Sequence, residues 1–157
     1  MDLFDEEIVE LFSSLHKNSI NYILVGGFAN ILNGHFRLTE DVDIWIEDTI
    51  INRKNLRKAL NELGLPDMPQ IETIDFVPGW SGITLPCGFE LDIMTSLNGF
   101  EKEKFNECYK LSDEAIIENI PVRFFHINQL IIAKKATNRL KDQLDIEELE
   151  KIKNKSN

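Results

Sequence analysis

Apolar positions recur along the chain in two periods, and the period switches where one element should give way to another. Near the N-terminus Phe4, Ile8, Leu11, Phe12 and Leu15 form one stripe at helical spacing, which predicts an amphipathic helix over residues 3–16. Tyr22-Ile23-Leu24-Val25 is a short apolar run closed by Gly26-Gly27, the pattern of a buried strand that stops at a tight turn. Residues 28–33 keep helix-compatible spacing up to Gly34, a residue suited to the C′ position. Residues 42–46 alternate as a strand. Residues 52–63 form a second amphipathic helix, with Leu56, Ala59, Leu60 and Leu63 inward and Arg53, Lys54, Arg57 and Lys58 on the exposed face. Four of the five prolines and three of the eight glycines fall within 65–88, which reads as loops with one or two edge strands. Residues 89–94 alternate again, 101–110 are helical, and 121–126 make another short strand. Asn128 is placed to cap a helix over 129–138, and a last helix over 141–153 turns Leu144, Leu149 and Ile152 inward. Residues 154–157 are expected to fray.

No repeat or low-complexity linker interrupts this order. The expectation is one α/β (α+β) domain over residues 1–153, with a core at 20–127 and a helical C-terminal part at 128–153. Seventeen basic against 27 acidic residues leave a net charge of −10 in a chain of 157. That argues against a nucleic-acid coat or an anionic-membrane binder, but leaves room for a local basic pocket around one phosphorylated molecule. Ten Phe and two Trp exclude disorder as the main state. Cys87 and Cys108 lack metal-ligand spacing and the histidines are scattered, so two free thiols in a reducing compartment are expected. No segment approaches the roughly 18 consecutive apolar residues of a membrane span. The acidic opening Met1-Asp2-Leu3-Phe4-Asp5-Glu6-Glu7 is unlike a signal or transit peptide, which makes the cytoplasm the expected location, with no membrane partner.

Three features carry chemistry. Asp41-Val42-Asp43 puts two carboxylates on one face of a strand while Val42 and Ile44 point into the core. Two like charges so close need something positive between them, and hard divalent cations with oxygen preference serve. Glu90-Leu91-Asp92-Ile93-Met94 places Asp92 on one face of a later strand, with Glu90 as its rival. If that strand neighbours the 42–46 strand, Asp92 completes a three-carboxylate cluster. Gly26-Gly27 at a strand-to-helix turn lets a phosphate approach backbone N–H groups, although the Gly-x-Gly-x-x-Gly and P-loop patterns are both absent.

A strand ending in Gly26-Gly27, a helix, Arg37-x-Thr39-x-Asp41-x-Asp43 and then Asp92 on a later strand resembles the nucleotidyltransferase superfamily. More narrowly, the chain is similar to the small bacterial branch that includes the AbiE-type abortive-infection toxins and uncharacterised relatives. Leu130-Ile131, Lys134, Ala136, Arg139, Lys141-Asp142 and Asp145-Ile146 match that branch's second motif block, so the resemblance spans about residues 20–150. It implies a nucleotidyltransferase fold, a mixed sheet flanked by helices with the carboxylates at one sheet edge. It further implies two Mg²⁺ ions (Mn²⁺ as a substitute) on Asp41, Asp43 and Asp92, and an NTP such as ATP held by Gly26, Gly27 and neighbouring groups. Where the family often has Ser after the first Gly, this chain has Gly27, so Thr39 or Arg37 is left to compensate.

Several residues admit two readings. Arg37 either clamps a phosphate or pairs with Asp41 or Asp43. Lys134, in a helix of mostly apolar residues, either faces the triphosphate or snorkels to the surface. Arg139, Asp142 and Asp145 either serve the acceptor side or cap the last helix. Trp45 shares the face of Asp41 and Asp43, so it either stacks on a base or packs; His35, Trp80 and His126 have no partner pattern, and His126 reads as structural. The function implied is Mg²⁺-dependent transfer of a nucleoside monophosphate from an NTP to a hydroxyl of a tRNA, a protein or a small molecule, releasing pyrophosphate. The alternative is a binding module of the same fold, a toxin–antitoxin component that acts on a protein partner with little or no turnover.

Overall fold

The apolar run Tyr22–Val25, buried along its whole length, lies in the middle of the sheet beside the alternating strand Asp41–Ile46, and more exposed strands close the edges. The computed structural model describes residues 5–156. In chain order the elements are α1 (Glu6–Lys17), β1 (Tyr22–Val25), α2 (Gly26–Leu32), β2 (Asp41–Ile46), α3 (Ile50–Glu62), a 3-10 turn (Pro69–Glu72), β3 (Gly82–Thr84), β4 (Glu90–Met94), α4 (Phe105–Leu111), β5 (Asp113–Ile117), β6 (Ile120–Phe124), α5 (Ile127–Thr137) and α6 (Leu140–Lys155). The six strands make one mixed sheet in the order β3-β4-β2-β1-β6-β5, which is the α/β architecture expected. β1 runs antiparallel to β2 and parallel to β6, while β2 runs parallel to β4. Among the described residues no helix is long and apolar enough to cross a membrane.

Ile8, Leu11, Phe12 and Leu15 of α1 are fully buried as the stripe predicts; Phe4 and the expected helix start at residue 3 lie outside the described residues. Ser14 donates to the Ala59 carbonyl at 2.8 Å and so pins α1 to α3. Val42, Ile44, Leu91 and Ile93 are sealed on one sheet face, leaving the acids of β2 and β4 on the other.

The structure corrects five expectations. Arg53 does not belong to an exposed face: it is buried, bonded to Asp48 and to the carbonyls of Ile71 and Ile74, and stacked on Phe76, so it ties α3 to the 3-10 turn. A strand absent from the sequence reading, β5, pairs with β6 through a turn in which Glu118 and Asn119 both take positive φ, 48° and 67°. His126, not Asn128, caps α5: its Nδ1 accepts from Asn128 N–H at 3.0 Å while the Gln129 side chain accepts from His126 N–H. Leu144 is exposed, because the inward face of α6 is Asp142, Asp145 and Leu149. Finally, α6 continues past residue 153 to Lys155, where Ser156 N–H bonds to the Ile152 and Lys153 carbonyls and two lysines favour the negative helix end.

Candidate active site

The β2–β4 register sets the site. Parallel pairing puts Asp43 opposite Asp92 and Asp41 opposite Glu90, so four acids crowd one face where neighbouring strands are about 4.8 Å apart. Burial pushes the Asp43 carboxyl up, and the negative charges of Asp92 and then Asp41 push it further, to about 7, although Lys134 and Lys141 pull it down. Burial also raises Asp92, against a hydrogen bond from Gly79 N–H, with the charges of Asp41 and Glu90 adding to the rise. That bond, 3.1 Å to Oδ2, fixes the carboxylate, while its Oδ1 is buried and unpartnered. Glu90, the rival to Asp92, instead accepts a hydrogen bond from the Thr84 hydroxyl and so closes the β3–β4 pair.

Gly26 is required twice over. It holds φ +68°, and a Cβ there would lie 2.1 Å from Asp43 Oδ2. A Cβ on Gly27 would lie 2.5 Å from Thr39 Oγ1, so the diglycine seats the turn against both Asp43 and Thr39. Of the pair, only Gly26 lines the cleft. Thr39, whose hydroxyl donates to the Asp41 carbonyl at 3.2 Å, packs behind the turn rather than lining the cleft.

The cleft measures about 680 Å³. Asp41, Asp43, Glu90 and Asp92 line one side, together with Pro78, Gly79 and Gly82; Lys134, Arg139, Lys141 and Asp142 of the α5–α6 corner line it as well. Trp45 is buried against Phe100, Phe105 and Phe125, so it packs beneath the carboxylates and is not open to a base.

Arg37 is corrected most clearly. It pairs with neither Asp41 nor Asp43: Nη2 donates to Asp145 Oδ2 at 3.0 Å and Nε lies 2.9 Å from Oδ1, which takes the guanidinium away from the cleft. Asp145 also holds Lys134 Nζ at 2.9 Å and His35 Nε2 at 3.1 Å, making it the hub of a buried cluster. Sequence reasoning missed His35; the signal available was its spacing from Arg37, since i and i+2 in an extended segment share a side. Lys134 is neither a surface lysine nor a free one, being 6% exposed. Burial lowers its pKa, the hydrogen bond and charge of Asp145 resist this, and the Arg37 charge adds to the lowering.

Asp142 holds the corner between α5 and α6. Its Oδ2 accepts from the Thr137 hydroxyl at 2.7 Å, Arg139 N–H at 3.0 Å and Arg139 Nε at 2.8 Å. Burial raises its pKa, yet the bonds from Arg139 and Thr137 prevail and hold it at about 2. Asp142 and Arg139 therefore cap α6 while facing the cleft, and Asp145 lies beneath it.

Among the described residues no three His, Cys, Asp or Glu side chains are already gathered around a position that could hold an ion. The donor chemistry nonetheless fits one. Asp41, Asp43 and Asp92 offer hard oxygen donors, Asp92 Oδ1 is an orphaned buried acceptor, and Asp43 is pushed to about 7 by burial and by the negative charges of Asp92 and Asp41, which a cation between them would relieve.

A family model described as "Nucleotidyltransferase of unknown function (DUF6036)" matches residues 2–156. No curated protein matches the chain. Among solved structures, ANT(2″)-Ia in complex with adenylyl-2″-tobramycin shares 17% identity at a TM-score of 0.61, over 93% of this chain and 90% of its own. Lincomycin-bound lincosamide antibiotic adenylyltransferase LnuA shares 15% at 0.58, over 94% and 97%. An antigenic nucleotidyltransferase-like protein from Paracoccidioides brasiliensis shares 19% at 0.59, over 93% and 74%. At these identities the likeness is one of fold.

Proposed function

Because the chain belongs to this nucleotidyltransferase family, we propose that it transfers a nucleoside monophosphate from an NTP to a hydroxyl of a small molecule, with Asp41, Asp43 and Asp92 as the reacting centre. One observation carries this reading: the register that sets Asp43 opposite Asp92 at the carboxylate side of a cleft also lined by Lys134, Arg139 and Lys141. The three acids would hold divalent cations, Mg²⁺ by the hardness of the donors. When bound, such cations supply the positive charge that draws phosphate and acceptor oxygens to this edge.

The remaining work falls to the chain. Lys141 and Arg139 offer positive charge to the leaving pyrophosphate, and Lys134 supports them from beneath, held by Asp145. Gly26, having no Cβ, keeps Asp43 seated at the strand end. Asp92 orients the acceptor hydroxyl through Oδ1, its other oxygen being fixed by Gly79. In the step, the acceptor oxygen forms a bond to the α-phosphorus, the bond to the bridging oxygen of pyrophosphate breaks, and the hydroxyl proton passes to Asp92 and on to water.

Calorimetry with Mn²⁺ and a non-hydrolysable ATP analogue tests the assignment. Binding is expected for wild type and lost in Asp43→Asn; equal binding in both removes these carboxylates from the site.

A further inference from the structure

Among the described residues no large apolar side chain is more exposed than Trp80, at 87%. It does not stand on a loose loop. Pro78 and Gly79, the latter at φ +79°, form a tight turn closed by Trp80 N–H on the Val77 carbonyl at 2.9 Å. Val77 N–H donates to Ser81 Oγ at 2.8 Å, and the Ser81 carbonyl accepts from Ile93 N–H at 3.2 Å, which stitches the turn to β4. Gly79 is also the residue whose N–H holds Asp92. The indole thus stands one residue from the peptide that fixes a reacting carboxylate, and Ile74 and Val77 of the same loop add further exposed apolar surface.

We propose that Trp80 is the stacking platform for the acceptor, and that the acceptor is a small hydroxyl-bearing ring compound, a sugar or a nucleoside, whose ring face lies on the indole while its hydroxyl reaches Asp92. The proposal rests on the nucleotidyl-transfer reading. Position selects the acceptor over the NTP. Pro78, Gly79 and Gly82 line the cleft beside Glu90 and Asp92, whereas the cations suited to phosphates belong to the α5–α6 corner. Charge selects a small molecule over a nucleic acid: the cleft wall beside the Trp80 turn carries Asp41, Glu90 and Asp92 in a chain of net charge −10, which repels a phosphate backbone. The tight turn fixes the backbone that carries the indole, which offers a flat apolar face to a sugar's C–H surface or a base's π-face.

The chain has two tryptophans, and Trp45 is buried, so acrylamide quenching of fluorescence reads Trp80. Wild-type protein saturated with Mg²⁺ and a non-hydrolysable ATP analogue is titrated with methyl α-glucopyranoside and, separately, with adenosine. One of the two is expected to lower the quenching constant at least twofold, which identifies the kind of ring. With that compound as acceptor, Trp80→Ala is expected to raise its KM about 10-fold or more, the scale of a lost ring–aromatic stack. The KM for ATP and kcat should stay within twofold, and Trp80→Phe should restore most of the loss. No protection by either compound overturns the platform, as does a Trp80→Ala change that falls on the ATP KM instead. Calorimetry separates the two failures. If the ATP analogue binds wild type and not Asp43→Asn while Trp80 stays fully quenchable, the platform alone is wrong; if the analogue does not bind wild type, the transfer reading falls and the platform with it.

Discussion

Replacing Asp43 by Asn should make the metal-free protein more stable at neutral pH, not less. Asp43 faces Asp92 across the β2–β4 pair, and burial together with the Asp92 and Asp41 charges lifts its carboxyl from 3.8 to about 7. An acid whose folded pKa lies above its unfolded one carries no penalty below the unfolded value. As pH rises, the unfolded chain releases its proton first, so stability falls between about pH 4 and pH 7. At about 1.36 kcal/mol for each tenfold difference in proton affinity, Asp43 removes about 4 kcal/mol over that window. Asparagine has no charge to lose. Asp43→Asn should therefore match wild type near pH 4 and exceed it by about 4 kcal/mol at pH 7, or about 8–16 °C in Tm for a chain of this size. Urea unfolding in EDTA at several pH values measures the difference directly. Mn²⁺ should reverse the order at pH 7, because it binds the folded wild type and not the variant. A difference between the two proteins that stays flat from pH 4 to pH 7 would refute the claim that crowded carboxylates strain this edge.

Asp92→Asn should keep the fold and most nucleotide affinity while transfer falls at least ~10²-fold, read by label transfer from α-labelled NTP, since charge stabilisation at the reacting centre is lost; transfer at the wild-type rate would take Asp92 out of the reaction. Gly26→Ala should lose Mn²⁺ affinity in calorimetry, because a Cβ there meets Asp43 Oδ2 at 2.1 Å and the residue must also hold φ +68°; the backbone strain alone costs about 1–3 kcal/mol. Asp145→Ala should lower stability by about 3–5 kcal/mol in urea, the usual cost of stranding a buried charge, here Lys134. His126→Ala should cost about 1 kcal/mol, the value of an N-cap, without affecting nucleotide binding.

The carboxylate strands were legible because alternation is a local property. Val42, Ile44, Leu91 and Ile93 mark one face, so the acids on the other follow from parity alone. What parity does not state is which strands are neighbours; the β2–β4 pairing that joins Asp43 to Asp92 is a fact of topology. β5 was missed for a different reason. Asp113-Glu114-Ala115-Ile116-Ile117 is an edge strand with one side to solvent, and its signal lay in the Glu118-Asn119 turn more than in its composition.

Hydrophobic periodicity failed where the inward face is charged. In α6 the buried stripe is Asp142, Asp145 and Leu149, so Leu144, inward by apolar spacing, faces solvent instead. The charges are tolerable there because each has a partner from another element: Asp145 meets His35 and Arg37 from the segment before β2 and Lys134 from α5, and Asp142 meets Arg139 and Thr137. Arg139 and Asp142 form a local i, i+3 pair, whereas the pairing of Asp145 with His35, Arg37 and Lys134 is set by tertiary placement, and no spacing rule reveals it. It also changes what Lys134 can do. A lysine bonded to a buried aspartate is not a free cation waiting for a triphosphate, and Lys134→Ala leaves Asp145 short of a partner as well as removing a charge from the cleft. Loss of nucleotide affinity in that variant would therefore mix two effects. Lys141 offers the cleaner separation: it is exposed, lines the cleft, and has no part in the Asp145 cluster. Lys141→Ala should weaken ATP-analogue binding in calorimetry by about tenfold with Tm unchanged, the pattern of a lost phosphate contact. Unchanged affinity would shift the phosphate site away from the start of α6.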